Sequence, residues 1–368
     1  MRKNSDIAAV MGRLIFLILF LSTSFFSVLA QNEKTEIVFC VDLSASTNGL
    51  IREFNKSFYP FLNTISGGKS AQVKVGFMAY GRNSFTKEAN YIKKISDLSK
   101  RFDLMTFSLL KLPESIESAQ AYIDLAIDQS IDDMNWSSDT SVRKELIVLG
   151  NGGFRSKELE KTLKKARKKG IEVRVMYVNT LNNMREMNAW EKLMKKFKVT
   201  FVIIEFDNSP IQFEKHYDEQ WLLTAGMKLR DTYIYYGEEG KEFFHQMDSI
   251  DQYTALVDAT CHEERLLFKC SSYYQGMNAH WDLVDLYNKG KLDLKNVDKT
   301  FLPEYLQGLS DEQLEIFIKL KSGQRQQVLE QLFLEQQKLD VHHQRKQMKS
   351  EQFQSSKRLS VVLISWFS

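Results

Sequence analysis

Three oxygen-bearing side chains alternate at the end of Glu36–Ser46, EIVFCVDLSAS: Asp42, Ser44 and Ser46. One carboxylate and two hydroxyls on a single loop offer donors to a hard divalent cation, Mg²⁺ or Mn²⁺ with Ca²⁺ as an alternative. The same residues also suit a serine-rich turn in which Asp42 or Ser44 caps a helix. A third option makes Asp42 or Ser44 the nucleophile of a hydrolase, but that chemistry wants a base and no histidine precedes His216. Other chemistries lack their signatures. There is no G-x-S-x-G, P-loop or Rossmann glycine pattern, and Gly150-Asn151-Gly152-Gly153 is too short a match to claim phosphate binding. His262-Glu263-Glu264 beside Cys261 lacks the second histidine of H-E-x-x-H and reads as structural.

The elements around this loop say where it sits. Ile37-Val38-Phe39-Cys40-Val41 is a continuous apolar run of the kind a buried parallel strand carries. Phe54, Phe58, Phe61, Leu62 and Ile65 then recur at helical spacing. Further strands are expected over 72–80, 91–95, 145–149, 171–178 and 199–206. Helices are expected near 96–106, over 115–131, from Ser156 as a cap to Lys169 with Gly170 as a stop, and over 182–197. This alternation implies an α/β fold, a doubly wound, mostly parallel sheet over 36–207. Loops at the carboxyl ends of such strands bind ligands, and Asp42 opens one of them.

Strand, D-x-S-x-S and helix, in that order, resemble the metal-ion-dependent adhesion site of von Willebrand factor A domains. The resemblance implies an exported, non-enzymatic interaction protein that takes a partner's Asp or Glu through a bound cation. It assigns the metal to Asp42, Ser44 and Ser46, to a second loop at Pro113-Glu114-Ser115-Ile116-Glu117, and to a third at Asn151. The family's second-loop threonine is missing, so Ser115 or Glu117 would replace it. The family's third-loop aspartate is Asn151, which keeps an oxygen but loses a charge. These departures leave open a second expectation, a scaffold whose metal site is vestigial or empty of metal and whose helical C-terminal region binds the partner.

Beyond Asn208-Ser209-Pro210 the sheet rhythm stops. Residues 211–349 read as a mainly α-helical domain: helices over 212–228 and 238–270 (the latter with a break), a capping box at Ser310-Asp311-Glu312-Gln313, a helix stop at Gly323, and a long helix from Arg325. Thr232-Tyr233-Ile234-Tyr235-Tyr236-Gly237 and Trp281-Asp282-Leu283-Val284-Asp285 resemble segments that follow the A domain in a group of exported bacterial proteins. The tail 350–368 ends in an apolar run too short to span a bilayer.

Met1–Ala30 has a basic start, an apolar stretch and Val28-Leu29-Ala30 before Gln31, which reads as a signal peptide cleaved after Ala30; an uncleaved membrane anchor is the alternative. Periplasm, cell surface and medium all remain open as destinations. Removing these residues takes away Arg2, Lys3, Arg13 and Asp6, so the formal charge falls from +3 to +1. A nearly neutral chain gives no general argument for nucleic acid or an anionic membrane. The basic residues Lys161, Lys164, Lys165, Arg167, Lys168 and Lys169 read as a solvated helix face. Cys40 reads as a buried hydrophobe, and a Cys261–Cys270 disulfide would need a break in the helix that carries both.

Overall fold

Every residue of strand β1, Thr35–Asp42, is buried. Its alternation explains why: Ile37, Phe39 and Val41 join one hydrophobic core, while Val38 and Cys40 join a second. A strand apolar on both faces must lie inside a sheet with both faces covered. The computed structural model describes residues 34–67, 72–112, 117–179, 184–205, 219–257, 259–347 and 359–367, and it places β1 third in a six-stranded sheet of order β3-β2-β1-β4-β5-β6. β2 (Val73–Tyr80), β4 (Arg143–Gly150), β5 (Ile171–Asn179) and β6 (Thr200–Glu205) run parallel to it, and β3 (Ile92–Ser99) is an antiparallel edge.

The helix α1 (Leu50–Gly67) lays Phe54, Phe58 and Phe61 around Phe39, with ring centroids 4.9, 6.4 and 5.6 Å away. On the other face lie α3 (Ile123–Asp133), α4 (Ser156–Lys168) and α5 (Met184–Phe197), whose inward side chains include Ile127, Leu159, Leu163 and Trp190. Each buried side chain of this size contributes about 1.5–3 kcal/mol, so the paired cores hold the strand ends in fixed register.

Several boundaries differ from those read in the sequence. The edge strand continues to Ser99 because Ser96 still pairs with Phe77 across a bulge, so the helix expected near 96–106 instead spans Phe102–Leu110 (α2). The helix expected over 115–131 begins only at Ile123. Residues 117–122 form an irregular strap, tied by Ala119 N–H to Gly81 O at 3.0 Å and by Ile123 N–H to Gly153 O at 3.1 Å. Ser156 is the first residue of α4 and not its cap. Arg155 holds the cap position, and Asp124 receives both its N–H (3.0 Å) and its guanidinium (2.6 Å). Gly170 ends that segment with φ +69°, as a helix stop should. The basic face of α4 is solvent-exposed at Lys161, Lys164, Arg167, Lys168 and Lys169, and within it Lys165 and Lys169 pair with Asp132 while Arg167 donates to Phe197 O at 2.7 Å.

The C-terminal half is helical: α6 (Glu219–Arg230), α7 (Gly240–Val257), α8 (Ala259–Cys270), α9 (Ser272–Met277), α10 (Leu283–Asn288), α11 (Glu304–Gln307) and α12 (Asp311–Gln347). The capping box is present, Gln313 N–H to Ser310 Oγ at 3.2 Å and Ser310 N–H to Gln313 Oε1 at 2.9 Å. Gly323 does not stop the helix. It lies on the exposed side of α12, where the glycine costs only about 1 kcal/mol, and Ser322 and Arg325 beside it are buried and bonded. Cys261 and Cys270 lie in one unbroken helix with no disulfide between them, and Cys40 is buried within β1. His262 is buried with Nδ1 3.3 Å from Thr254 Oγ1, a core position.

The two C-terminal segments singled out by resemblance meet in space. Leu283 N–H donates to Ile234 O (2.9 Å), Tyr236 N–H to Trp281 O (2.8 Å), and Tyr233 stacks on Trp281 at 5.7 Å. Beneath them the Arg325 guanidinium reaches Asp282 (2.6 Å), Asp285 (2.7 Å) and Thr232 O (2.8 Å). A second buried cluster ties the halves together. Arg265 bonds Asp103 of α2 through two nitrogens (2.6 and 3.1 Å) and Asp251 of α7 (3.0 Å), while Lys269 bonds Asp251 (2.5 Å). The last helix, Leu359–Phe367 (α13), returns to α1, with Leu363 fully buried and Phe367 5.2 Å from Phe61. The proposed leader and the Asn208-Ser209-Pro210 boundary lie outside the described residues; no described helix is long and apolar enough to cross a membrane.

Candidate metal-binding cleft

Parallel register brings four strand ends to one edge. Asp42 pairs with Tyr80, Leu149 with Val41, and Gly150 with Tyr177. The chain leaves β1 in an Asx turn, with Ser44 N–H donating to Asp42 Oδ1 at 2.9 Å. Thr47 Oγ1 secures the turn by donating to Asp42 O (2.8 Å) and Ser44 O (3.0 Å). Ser44 makes no side-chain capping bond to the short turn of helix at Ala45–Thr47, so its hydroxyl is not consumed as a cap.

Instead the hydroxyls form a row. Ser44 Oγ lies 2.9 Å from Ser46 Oγ, which donates to Asn151 Oδ1 at 2.8 Å. Asn151 Nδ2 donates to Val178 O at 3.1 Å, a bond an aspartate could not make. This gives a local reason for asparagine in the third loop. Two glycines let the loops close on Asp42. Gly81 has φ +93°, and a Cβ there would lie 2.9 Å from Asp42 Oδ1; at Gly150 it would lie 2.5 Å from Asp42 Cβ and collide with the Tyr80 hydroxyl.

Asp42 is 1% exposed, and its Oδ2 makes no hydrogen bond of ordinary geometry; nor does the buried Tyr80 hydroxyl beside it. Burial pushes the Asp42 carboxyl up from its ordinary value, and hydrogen bonding from Ser44 offsets this only in part. Burial and the Asp42 charge both push the Tyr80 hydroxyl well up. These groups line a cavity of ≈ 240 Å³ with Ser44, Ser46 and Asn151.

The donor set fits a hard cation. A buried carboxylate oxygen without a partner needs a proton or a metal. The oxygen row at 2.8–2.9 Å matches the ~3 Å separation of neighbouring oxygens around an ion with ~2.1 Å bonds. The set is hydroxyl-rich and poor in charge: among the described residues no group of three or more His, Cys, Asp or Glu is placed to hold a metal.

The second loop differs from expectation. Glu117 does not line the cavity; it pairs with Arg82 (2.9 Å) and accepts from Ser84 N–H (2.8 Å), and so fastens the strap to the end of β2. Ser115 lies outside the described residues. Ser118, Gln120, Tyr177 and Glu186 line the cavity instead. The sequence reading missed Tyr80, Tyr177 and Glu186. Their one signal was position, since Tyr80 and Tyr177 stand at the carboxyl ends of β2 and β5 and Glu186 in the first turn of the helix that follows β5.

Neither a protein-family model nor a curated protein matches the sequence. Solved structures similar to this chain include the SpRpn10 VWA domain, at 13% identity and TM-score 0.37 over 48% of this chain and 90% of that one. The conserved hypothetical protein BatB from Bacteroides thetaiotaomicron is similar at 17% identity and TM-score 0.36, over 48% and 92%. The pilus adhesin SpaC from Lactobacillus rhamnosus GG is similar at 14% identity and TM-score 0.37; the match covers 46% of this chain and only 28% of that one. The fold itself, five parallel strands with one antiparallel edge and the D-x-S-x-S loop at its carboxyl edge, is von Willebrand A-like, followed by a helical region.

Proposed function

We propose that this chain is an exported, non-enzymatic protein-interaction protein that captures a partner's Asp or Glu through a divalent cation at the cleft. The observation that carries this reading is the buried, unpartnered Asp42 Oδ2 beside the Ser44–Ser46–Asn151 oxygen row. Asp42, Ser44, Ser46 and Asn151 would hold Mg²⁺ or Mn²⁺. The bound ion would supply an electrophilic position for a visiting carboxylate, because neutral hydroxyls leave most of its charge uncompensated. The presence of an adhesin and VWA domains among similar structures agrees with the interaction role.

Calorimetric titration of the chain with MnCl₂ tests it. A single saturable site, lost in Asp42→Ala while the far-ultraviolet spectrum stays native, is the expected result. Absence of binding in the unmutated chain would overturn it. In that case the helical half becomes the interaction surface, a reading favoured by Ile316 and Leu320, which stand more than half exposed one turn apart on α12.

A further inference from the structure

We propose that Tyr80 is the positioning residue of the cation site, its phenol O–H donating to Asp42 Oδ2 and holding that oxygen in place when a cation binds. This rests on the reading of the cleft given above. The strand period brings the two side chains together. Val38 and Cys40 of β1 share one core with Met78 and Tyr80 of β2, and Asp42, two residues beyond Cys40, points to the same face. Parallel register sets Tyr80 directly beside Asp42 at the ends of their strands. On the other flank of Asp42, β4 ends in Gly150, which has no side chain to fill the space. A Cβ there would collide with the Tyr80 hydroxyl and lie 3.1 Å from Asp42 Oδ2. One at Gly152 would lie 3.4 Å from Asp42 Oδ2 and 3.5 Å from Tyr80 Cε2. Phenol and carboxylate therefore meet over these two glycines.

Three observations converge on this role. Tyr80 is 1% exposed and lines the cavity, and its hydroxyl makes no hydrogen bond of ordinary geometry. Asp42 Oδ2, equally buried, makes none either, while Asp42 Oδ1 already accepts from Ser44 N–H at 2.9 Å. Asp42 is also the one carboxylate in the set with Ser44, Ser46 and Asn151, so its orientation decides how firmly that set can hold an ion. A phenol carries its proton at neutral pH and a carboxylate oxygen only accepts, so each group supplies what the other lacks. The two lone pairs of Oδ2 serve both needs, one taking the phenol O–H and the other facing the cation. Such a bond is charge-assisted, and donors behind a ligating carboxylate are worth about 10–100-fold in metal affinity.

The test is calorimetric titration of the full chain with MnCl₂, comparing wild type, Tyr80→Phe and Tyr59→Phe, with the tyrosine ultraviolet absorption followed in parallel. Tyr59 also buries a hydroxyl that makes no hydrogen bond of ordinary geometry, but it packs against Phe58 and Phe268 and does not line the cavity. It controls for losing such a group. Tyr80→Phe is expected to weaken Mn²⁺ binding at least about tenfold, while Tyr59→Phe stays within about twofold of wild type. Saturation with Mn²⁺ is expected to change the tyrosine absorption of wild type and Tyr59→Phe, and to leave that of Tyr80→Phe unchanged. Circular dichroism melts of all three without cation are expected to coincide. Wild-type affinity in Tyr80→Phe, equal weakening in Tyr59→Phe, or an absorption change that survives in Tyr80→Phe overturns the role of Tyr80 and leaves the cation site standing. No Mn²⁺ binding in wild type overturns both.

Discussion

The cleft and the C-terminal helices both bury carboxylates, but they satisfy them differently. Asp282 and Asp285 face the forked guanidinium of Arg325, and Asp251 is shared by Arg265 and Lys269. Those charges are matched by the protein itself. Asp42 has no cationic partner, and its Oδ2 faces neutral groups without a hydrogen bond of ordinary geometry. Matched charges, costly to desolvate, fix how segments meet; an unmatched charge at the edge of a parallel sheet points to something that arrives from outside.

If that contrast is right, the largest effect comes from breaking a matched cluster. Arg325→Met should cost about 3–5 kcal/mol in urea denaturation, because it strands two buried carboxylates. Burial, and next the charge of Asp282, already raise Asp285 to about 7 even with Arg325 opposing them, and the variant loses that opposition. A loss below about 1 kcal/mol would show that the cluster is not organising the helical half.

The opposite outcome is expected at the cleft. Asp42→Ala should leave the thermal midpoint of cation-free protein unchanged or higher, since it removes an unmatched buried charge, while abolishing any rise on adding Mn²⁺. Asn151→Asp should divide the two properties. Without cation it should lose about 1–3 kcal/mol, because a carboxylate would face Val178 O where an amide now donates; with Mn²⁺ its affinity should increase.

Acidity gives a smaller and graded effect. The Asp42 pKa is raised in the folded protein, so its proton stabilises the cation-free fold fully below the unfolded value of about 4. That contribution is lost as pH rises through the folded value. A cation needs the carboxylate, so its affinity should climb over the same window and its binding should release a proton, visible as a buffer-dependent heat. The smallest expected change is Gly323→Ala. A methyl group at this exposed position inside α12 meets nothing within 4 Å, so the variant should gain about 0.5–1 kcal/mol.

How much of this was legible in the sequence follows from the same contrast. The sheet was readable because Ile37–Val41 and Leu146–Leu149 are apolar runs that only a doubly covered strand tolerates. Asp42, Ser44, Ser46 and Asn151 were readable because short loops after those strands carry them, and the structure brings all four to one cavity. Glu117 was misplaced because alternation and helical spacing cannot say which way an irregular strap turns; Arg82, far away in sequence, decided it. Gly323 was overread as a stop because the bonds that hold the helix through it, Ser322 to Asn288 and Arg325 to Asp282, are tertiary. The packing of α13 against α1 depends on a partner surface some 300 residues earlier and left no local trace.

The central claim is that the D-x-S-x-S cleft is built around a cation. Anomalous scattering from crystals soaked in MnCl₂ examines it most directly. A peak within bonding distance of Ser44 Oγ and Ser46 Oγ, with Asp42 Oδ2 turned towards it, is the predicted result. Crystals that diffract well at saturating Mn²⁺ and show only water there would contradict the account.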